Sequence, residues 1–343
     1  MTAIQKIEIR DIPMPVCGDD DVLVRTEYVG LCGSDVHFFE TGEIGTSIVH
    51  PPFVLGHEYA GTIIEIGKNV KNLSVGDRVT LEPGMPCGKC KYCKQGRYNL
   101  CDDMAFKSSP PVDGLFCNYV THPAHLAFKL PDCVSMMDGA LIEPLAVGMH
   151  AAKQGEVNLG QSVAILGSGC IGLTTLLSVK QRHATNIIVT DMCDFRLEKA
   201  KALGATHVIN AGREDVIQKI MEYTDGLGVD VVFETAGSRY TANQTSHVVA
   251  KGGRVVMVGI VLGDIPYNFR PLNRKEADLK TVWRYCNAYP DAITAVENGF
   301  IDLGGIITNV VPFKEAQKAF ETAIQDKENV IKIVLKFGEE YTV

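Results

Sequence analysis

The stretch Ser162-Val163-Ala164-Ile165-Leu166-Gly167-Ser168-Gly169-Cys170-Ile171-Gly172 decides how the middle of the chain folds. Its apolar run is typical of a buried strand, and it leads into a G-x-G-x-x-G turn and an apolar helical segment. In this context Gly167 makes the tight turn, Gly169 lets a pyrophosphate approach the backbone, and Gly172 lets the helix pack closely on the strand. Phosphates bind at the N-terminus of such a helix. The stretch therefore predicts a dinucleotide-binding unit.

The residue that follows the next predicted strand, 186–190, is Asp191. An acid about 20 residues beyond the glycine turn binds the ribose hydroxyls of NAD and repels the 2′-phosphate of NADP. NAD is therefore the expected cofactor. Arg196 lies close enough in sequence to keep NADP open as an alternative.

Further strands are predicted at 208–209, 229–234 and 252–259, and helical segments alternate with them. This alternation is typical of a parallel, doubly wound sheet, which makes the fold class α/β. By contrast, the first 80 residues read as short strands and turns, and helical periodicity is nearly absent before residue 135.

Four cysteines, Cys87, Cys90, Cys93 and Cys101, have the spacing of a closed zinc site. Four thiolates leave no open position, so we expect a structural zinc that stabilises a loop with little core of its own. A redox C-x-x-C explains the third and fourth thiols less well. A zinc ribbon that touches nucleic acid is the other alternative, because four basic residues lie in the same loop.

A second group of potential zinc ligands comprises Cys32, His57 and Glu58. A catalytic zinc needs only three such ligands and an open position. The alternative is a buried cysteine and a core histidine. Glu143 lies among apolar residues before a proline, where an unpaired carboxylate would be costly, so it is a further candidate. An exposed glutamate at a helix kink is the other interpretation of Glu143.

Composition limits the possible functions. With 343 residues, 46% of them hydrophobic, the chain is long enough for about two domains. The net charge of −8 argues against a partner such as nucleic acid or an anionic membrane. No apolar run approaches the roughly 18 residues of a spanning helix, and the N-terminus does not resemble a signal peptide. We expect a cytoplasmic protein whose 11 cysteines stay reduced.

Together these motifs resemble those of the zinc-dependent medium-chain alcohol dehydrogenase family, and within it the polyol group of sorbitol, xylitol and L-iditol dehydrogenases. The matches follow the family's order along nearly the whole chain. They are CGSDVH at 32–37, GHE at 56–58, GRYNL at 96–100, LIEPL at 141–145, GSGCIG at 167–172 and RYCN at 284–287.

The resemblance implies a GroES-like, β-rich catalytic domain formed by residues 1–147 and 277–343, with two zinc sites. A Rossmann-fold NAD-binding domain at 148–276 would be inserted between them. It also implies a small-molecule polyol substrate and a homotetramer.

The resemblance also implies roles for individual residues. Cys32 and His57 would bind zinc directly, Glu58 and Glu143 would compete for the third place, and Asp35 would orient His57. Ser34 would start a proton relay, and His37 would pass the proton to water or else be a surface histidine. Phe38 stands where a tyrosine is expected beside the substrate, which leaves the preferred polyol open. Arg284 and Tyr285 would touch substrate or cofactor, and the cofactor contacts would be Gly167, Gly169, Ile171, Gly172, Asp191, Arg196, Val258, Gly259 and Arg284.

The expected activity is oxidation of a secondary hydroxyl to a ketose. Zinc would lower the pKa of the hydroxyl, and hydride would pass to NAD⁺. A small diol or a sugar-acid alcohol is an alternative substrate. A hypothesis of another class is a non-catalytic NAD(H)-binding regulatory protein, which would bind one zinc per chain instead of two.

Overall fold

The computed structural model describes residues 1–338. The chain forms two compact units, Met1–Glu143 with Tyr289–Val343, and Pro144–Ala288. The strands are β1 Asp21–Leu31, β2 Glu43–Ile44, β3 Ser47–Ile48, β4 Glu58–Ile66, β5 Arg78–Leu81, β6 Gly84–Met85, β7 Ala105–Phe106, β8 Tyr119–Pro123, β9 Ala127–Lys129, β10 Ser162–Leu166, β11 Asn186–Asp191, β12 His207–Asn210, β13 Val229–Glu234, β14 Val249–Met257, β15 Asp278–Thr281, β16 Ile307–Pro312 and β17 Lys332–Lys336.

The α-helices are α1 Gly33–Thr41, α2 Lys91–Lys94, α3 Met136–Ala140, α4 Ile142–Gln154, α5 Cys170–Gln181, α6 Asp194–Leu203, α7 Val216–Glu222, α8 Arg239–Val248, α9 Phe269–Lys275, α10 Tyr289–Glu297 and α11 Ala316–Gln325. Short 3₁₀ helices lie at Tyr98–Leu100, Ala124–Leu126 and Phe313–Glu315. Within the described residues, no helix is long and apolar enough to span a membrane.

The unit Pro144–Ala288 is built on a six-stranded sheet of order β12-β11-β10-β13-β14-β15. All its ladders are parallel. Chain order reverses beside β10, which is the strand arrangement of a dinucleotide-binding fold. This confirms the predicted doubly wound α/β class. The sheet has a buried core because its central strands are apolar on both faces.

The edge strand of this sheet is β15, paired in parallel with β14. The predicted boundary at 276/277 assigned these residues to the other domain, whereas the compact units divide at 143/144 and 288/289. The strand 278–281 is short and polar, so its pairing partner could not be read from sequence.

The other unit is built around β1, which pairs antiparallel with β4, β8 and β17 in a seven-stranded sheet. Strands β8 and β17 come from parts of the chain distant from β1. The C-terminal strands β16 and β17 pair in parallel and bring the tail back beside β1. Register shifts between β1 and β4 show that the ladder is interrupted by bulges.

The core of this unit combines residues of the early strands with the C-terminal helix α11. Phe39 of α1 packs against Phe320 of α11, with ring centroids 4.8 Å apart. The helix α1 was not predicted, because its buried residues do not form a regular apolar stripe. Its start is fixed by a capping box between Cys32 and Asp35.

Candidate functional site

Cys32, His57 and Glu58 converge because of strand register. Gly30 of β1 pairs with Glu58, the first residue of β4, so the residues that leave β1 lie beside those that enter β4. Cys32 caps α1 two residues beyond Gly30. The thiol, imidazole and carboxylate donor atoms all lie within 4.8 Å of one another. A soft sulfur, a nitrogen and an oxygen at these separations suit zinc.

Asp35 links this group internally. Its carboxylate is fully buried and accepts hydrogen bonds from the Cys32 backbone at 3.2 Å, Gly56 N at 3.1 Å and Ser108 Oγ at 2.6 Å. Its Oδ1 lies 3.5 Å from His57 Nδ1. Burial alone would raise the pKa of Asp35, but His57 and these hydrogen bonds outweigh it and lower the pKa. Asp35 therefore orients the imidazole so that its other nitrogen faces the donor group.

The pKa of His57 reflects the same interaction with Asp35. Burial alone would lower it, but the carboxylate of Asp35 and the thiol of Cys32 raise it well above its ordinary value. A buried imidazole between two such groups therefore favours its positively charged, protonated form. Zinc would replace the proton in that role.

Glu58 is fully buried and forms an ion pair with Lys332 of β17, also buried. The Nζ of Lys332 lies 2.7 Å from Oε1 and 2.9 Å from Oε2. Sequence reasoning missed Lys332, since nothing in an alternating strand such as KIVLK marks one lysine as buried.

Glu143 is also buried, at 5% exposure, as the second residue of α4. It is not part of the donor group within 4.8 Å that Cys32, His57 and Glu58 form among the described residues. Near it lies Glu82, whose pKa is raised to about 7, mainly by burial and in part by the charge of Glu143. Tyr98 donates to Glu82 Oε1 at 2.7 Å. Sequence reasoning missed this buried acid.

Three further candidates lie on α1. Ser34 and His37 are partly exposed and stand three residues apart, so they share one side of the helix. Phe38 is 4% exposed and belongs to the hydrophobic core of its unit.

The cysteines Cys87, Cys90, Cys93 and Cys101 form the second donor group, with all four sulfurs within 4.8 Å of one another. Cys90 and Cys93 sulfurs are 3.5 Å apart. None of the four forms a disulfide. Backbone N–H groups of Lys89 and Cys90 lower the pKa of Cys87 to about 7, whereas burial and the neighbouring thiols raise the pKa of Cys93. Four sulfurs in a tight cluster fit a closed zinc site.

The glycine turn of the second unit has the geometry that its sequence predicts. Gly167 has φ +115°, a conformation that side chains rarely adopt. A Cβ at Gly172 would overlap the carbonyl oxygen of Gly167, so the helix α5 can approach only without one. A Cβ at Gly169 would meet no described atom within 4 Å, so the turn has open space for a ligand. The turn fits a dinucleotide pyrophosphate.

Asp191 ends β11, as predicted, and its carboxylate accepts hydrogen bonds from Ser168 N at 2.8 Å and Cys193 N at 3.0 Å. The backbone oxygen of Arg196 accepts from Ser168 Oγ at 2.9 Å. Both residues are thus linked to the glycine turn. Ile171 is the second residue of α5, where its carbonyl accepts from Thr174 and Thr175.

Val258 and Gly259 follow β14, and both backbone N–H groups donate to the Glu234 carbonyl. Sequence reasoning missed Glu234 and Thr235 at the end of β13. Glu234 is fully buried, and its side chain accepts from Thr241 Oγ1 at 2.6 Å. Thr235 Oγ1 donates to Gly167 O at 3.0 Å and so buttresses the glycine turn. The signal was available, because ligands of such sheets bind at the carboxyl ends of the strands.

Arg284 and Tyr285 lie in the loop after β15, within the unit Pro144–Ala288. Arg284 has φ +53°, an uncommon backbone conformation for a residue with a side chain, and its guanidinium lies 5.1 Å from the Trp283 ring centroid. Tyr285 is 3% exposed.

Comparison with known proteins gives the same picture as the geometry. Residues 18–132 match the alcohol dehydrogenase GroES-like domain family, and residues 170–298 match the zinc-binding dehydrogenase family. The chain is 40% identical to a sorbitol dehydrogenase of Bacillus subtilis, over 96% of this chain and 94% of that protein. It is also 40% identical to an L-idonate 5-dehydrogenase of Vitis vinifera, over 97% and 93%. A crystal structure of an oxidoreductase of unknown specificity from Escherichia coli has a TM-score of 0.95 at 42% identity, covering 98% of both chains.

Proposed function

The chain belongs to the zinc-type alcohol dehydrogenase family, in its sorbitol dehydrogenase group, and on that premise we propose that it oxidises a secondary hydroxyl of a polyol to a ketose with NAD⁺. The observation that carries the proposal is the convergence of Cys32, His57 and Glu58 donor atoms within 4.8 Å. A second zinc would bind at the four-cysteine cluster.

Zinc, when bound, supplies a Lewis acid that lowers the pKa of a substrate hydroxyl. Cys32 and His57 would hold it, with the charge of Asp35 fixing the imidazole and hydrogen bonds from Cys32 N, Gly56 N and Ser108 Oγ fixing Asp35. Ser34 Oγ would accept the hydroxyl proton while giving up its own, which starts the relay that the resemblance implies, and His37 would release a proton to water; both side chains are partly exposed on α1. In the second unit, the Gly167–Gly172 turn would bind the pyrophosphate and Asp191 would bind the ribose. The remaining cofactor contacts would be Ile171, Arg196, Val258, Gly259 and Arg284.

Asp191 favours NAD⁺ over NADP⁺ in this proposal. Its carboxylate is fixed by two backbone donors beside the glycine turn, so a 2′-phosphate would meet a negative charge held in place.

A sugar-acid alcohol is the second candidate substrate. It is favoured by the 40% identity to an L-idonate 5-dehydrogenase, which equals the identity to the sorbitol dehydrogenase. The buried Phe38 fits neither substrate better, because it offers no hydrogen bond to a hydroxyl or a carboxylate.

A substrate panel tests the proposal. Sorbitol, xylitol, L-idonate and 2,3-butanediol are each supplied with NAD⁺ and with NADP⁺, and reduced cofactor is followed by absorbance. We expect the highest kcat/KM for a polyol with NAD⁺. Turnover of L-idonate or butanediol without turnover of either polyol would contradict the substrate class, and preference for NADP⁺ would contradict the role of Asp191.

A further inference from the structure

Lys332 reaches Glu58 because of the register of three strands. Gly30 of β1 pairs with Glu58 of β4 on one side and with Val334 of β17 on the other. Residues two apart on a strand point to the same face, so Lys332 lies on the face of Val334. Its ammonium donates to Leu31 O at 3.1 Å and to both carboxylate oxygens of Glu58.

The pair is sealed from water. The side chain of Lys332 is 2% exposed and that of Glu58 is 1% exposed. A buried carboxylate needs a compensating positive charge, and in this place there are two candidates for it. One is Lys332, and the other is the metal that Cys32 and His57 would hold, since a Glu58 oxygen lies within 4.8 Å of both of their donor atoms.

Gly30 determines where the side chain of Glu58 lies. A Cβ on Gly30 would overlap Glu58 Oε2, so the carboxylate occupies the space beside Gly30 of β1. From that position its oxygens contact Lys332 and one of them lies within 4.8 Å of the Cys32 and His57 donor atoms.

We propose that Lys332 is a positioning residue that competes with the catalytic zinc for Glu58 and thereby makes Glu58 an exchangeable ligand. The inference rests on the proposed function, because it requires zinc at Cys32 and His57. A carboxylate held by a second cation leaves the metal readily, which keeps one coordination position available for the substrate hydroxyl. Without Lys332, Glu58 would bind zinc permanently.

The test compares Lys332→Met with the charge-conserving Lys332→Arg. Zinc-loaded protein is mixed with excess chelator, and the release of zinc from the two sites is followed over time, the four-cysteine site serving as internal reference. We expect Lys332→Met to slow release from the catalytic site by roughly tenfold or more and to lower kcat, with Lys332→Arg close to the parent. A lysine that only stabilises the fold would give the opposite result, namely faster release in Lys332→Met.

A second comparison isolates the carboxylate. In a Glu58→Gln background, Lys332→Met should change zinc release little, because the carboxylate charge for which lysine and zinc compete is gone. A slowing of the same size in that background would overturn the proposal. If metal-free Lys332→Met does not fold, recovery of folding on adding zinc supports the proposal when it is lost on adding Cys32→Ala, since the metal at that site then supplies the missing charge; recovery that survives Cys32→Ala comes from the four-cysteine site and contradicts it. Failure to recover contradicts it.

The outcome also separates the two proposals. A parent protein without zinc at the Cys32 site, or without polyol turnover, contradicts the proposed function. A parent with both, whose Lys332→Met variant releases zinc as fast as the parent or faster, contradicts only the role of Lys332.

Discussion

Gly30 and Glu58 are opposite each other in the β1–β4 ladder, and the carboxylate of Glu58 occupies the space that a side chain at position 30 would need. A residue with no evident chemistry thus decides where a candidate metal ligand lies.

Gly30→Ala should displace Glu58 and disturb the metal site. Because the new methyl group would overlap a buried carboxylate held by Lys332, we expect activity to fall by about 100-fold, as shifts of about 1 Å at a reacting centre do. Zinc content and NADH formation measure the effect. Gly33→Ala is the matched control for zinc content, since a Cβ there meets no described atom within 4 Å. Unchanged activity in Gly30→Ala would show that the position of Glu58 does not matter.

Asp35→Asn should weaken metal binding while keeping the shape of the side chain. The amide lacks the charge that attracts His57, so we expect zinc affinity at this site to fall by about 10- to 100-fold. Competition with a chromophoric chelator measures it. Ser108→Ala removes one hydrogen bond to Asp35 but leaves the charge, so its effect should be smaller. Equal losses in the two variants would assign the effect to packing instead of charge.

Glu82 should make stability depend on pH. Burial raises the pKa of its carboxyl from 4.5 to about 7, so between these values the folded protein holds a proton that the unfolded chain has released. Stability is therefore lost as the pH rises through this window, and above pH 7 the loss amounts to about 3 kcal/mol.

Glu82→Gln removes this dependence and can still accept the hydrogen bond from Tyr98. Thermal unfolding of parent and variant at pH 5 and pH 8 should show the variant gaining relative stability at pH 8. Tyr98→Phe retains the carboxyl and should retain the dependence on pH. A difference between parent and Glu82→Gln that is the same at both pH values would show that Glu82 does not titrate there.

Asp191→Asn should change cofactor preference. The neutral amide no longer repels a 2′-phosphate and binds ribose hydroxyls less well, so we expect about tenfold weaker NADH binding and stronger NADPH binding. Quenching of protein fluorescence measures both. Asp194→Asn is the control, because its carboxylate bonds Asn210 and Arg213 instead of the glycine turn. An unchanged ratio of the two affinities in Asp191→Asn would assign cofactor choice to other residues.

The sequence could predict those features that are specified by residues adjacent in the chain. The strand–turn–helix around Gly167–Gly172 is specified by adjacent residues, and the doubly wound sheet followed from it. The Cys87–Cys101 spacing is local in the same way. Lys332 could not be found, because its contact with Glu58 joins residues 274 positions apart and depends on the register of three strands. The helix α1 was missed because its capping box starts a helix that has no apolar stripe, and Glu82 because burial of a single acid leaves no periodic pattern.

The most direct test of the central claim is the zinc content per chain of the parent and of His57→Ala, measured with NADH formation from sorbitol or xylitol. Two zincs and polyol turnover in the parent, with one zinc and no turnover in His57→Ala, is the predicted result, because only the four-cysteine site survives the substitution. One zinc and no turnover in the parent would contradict the claim and indicate an NAD(H)-binding protein without a catalytic metal.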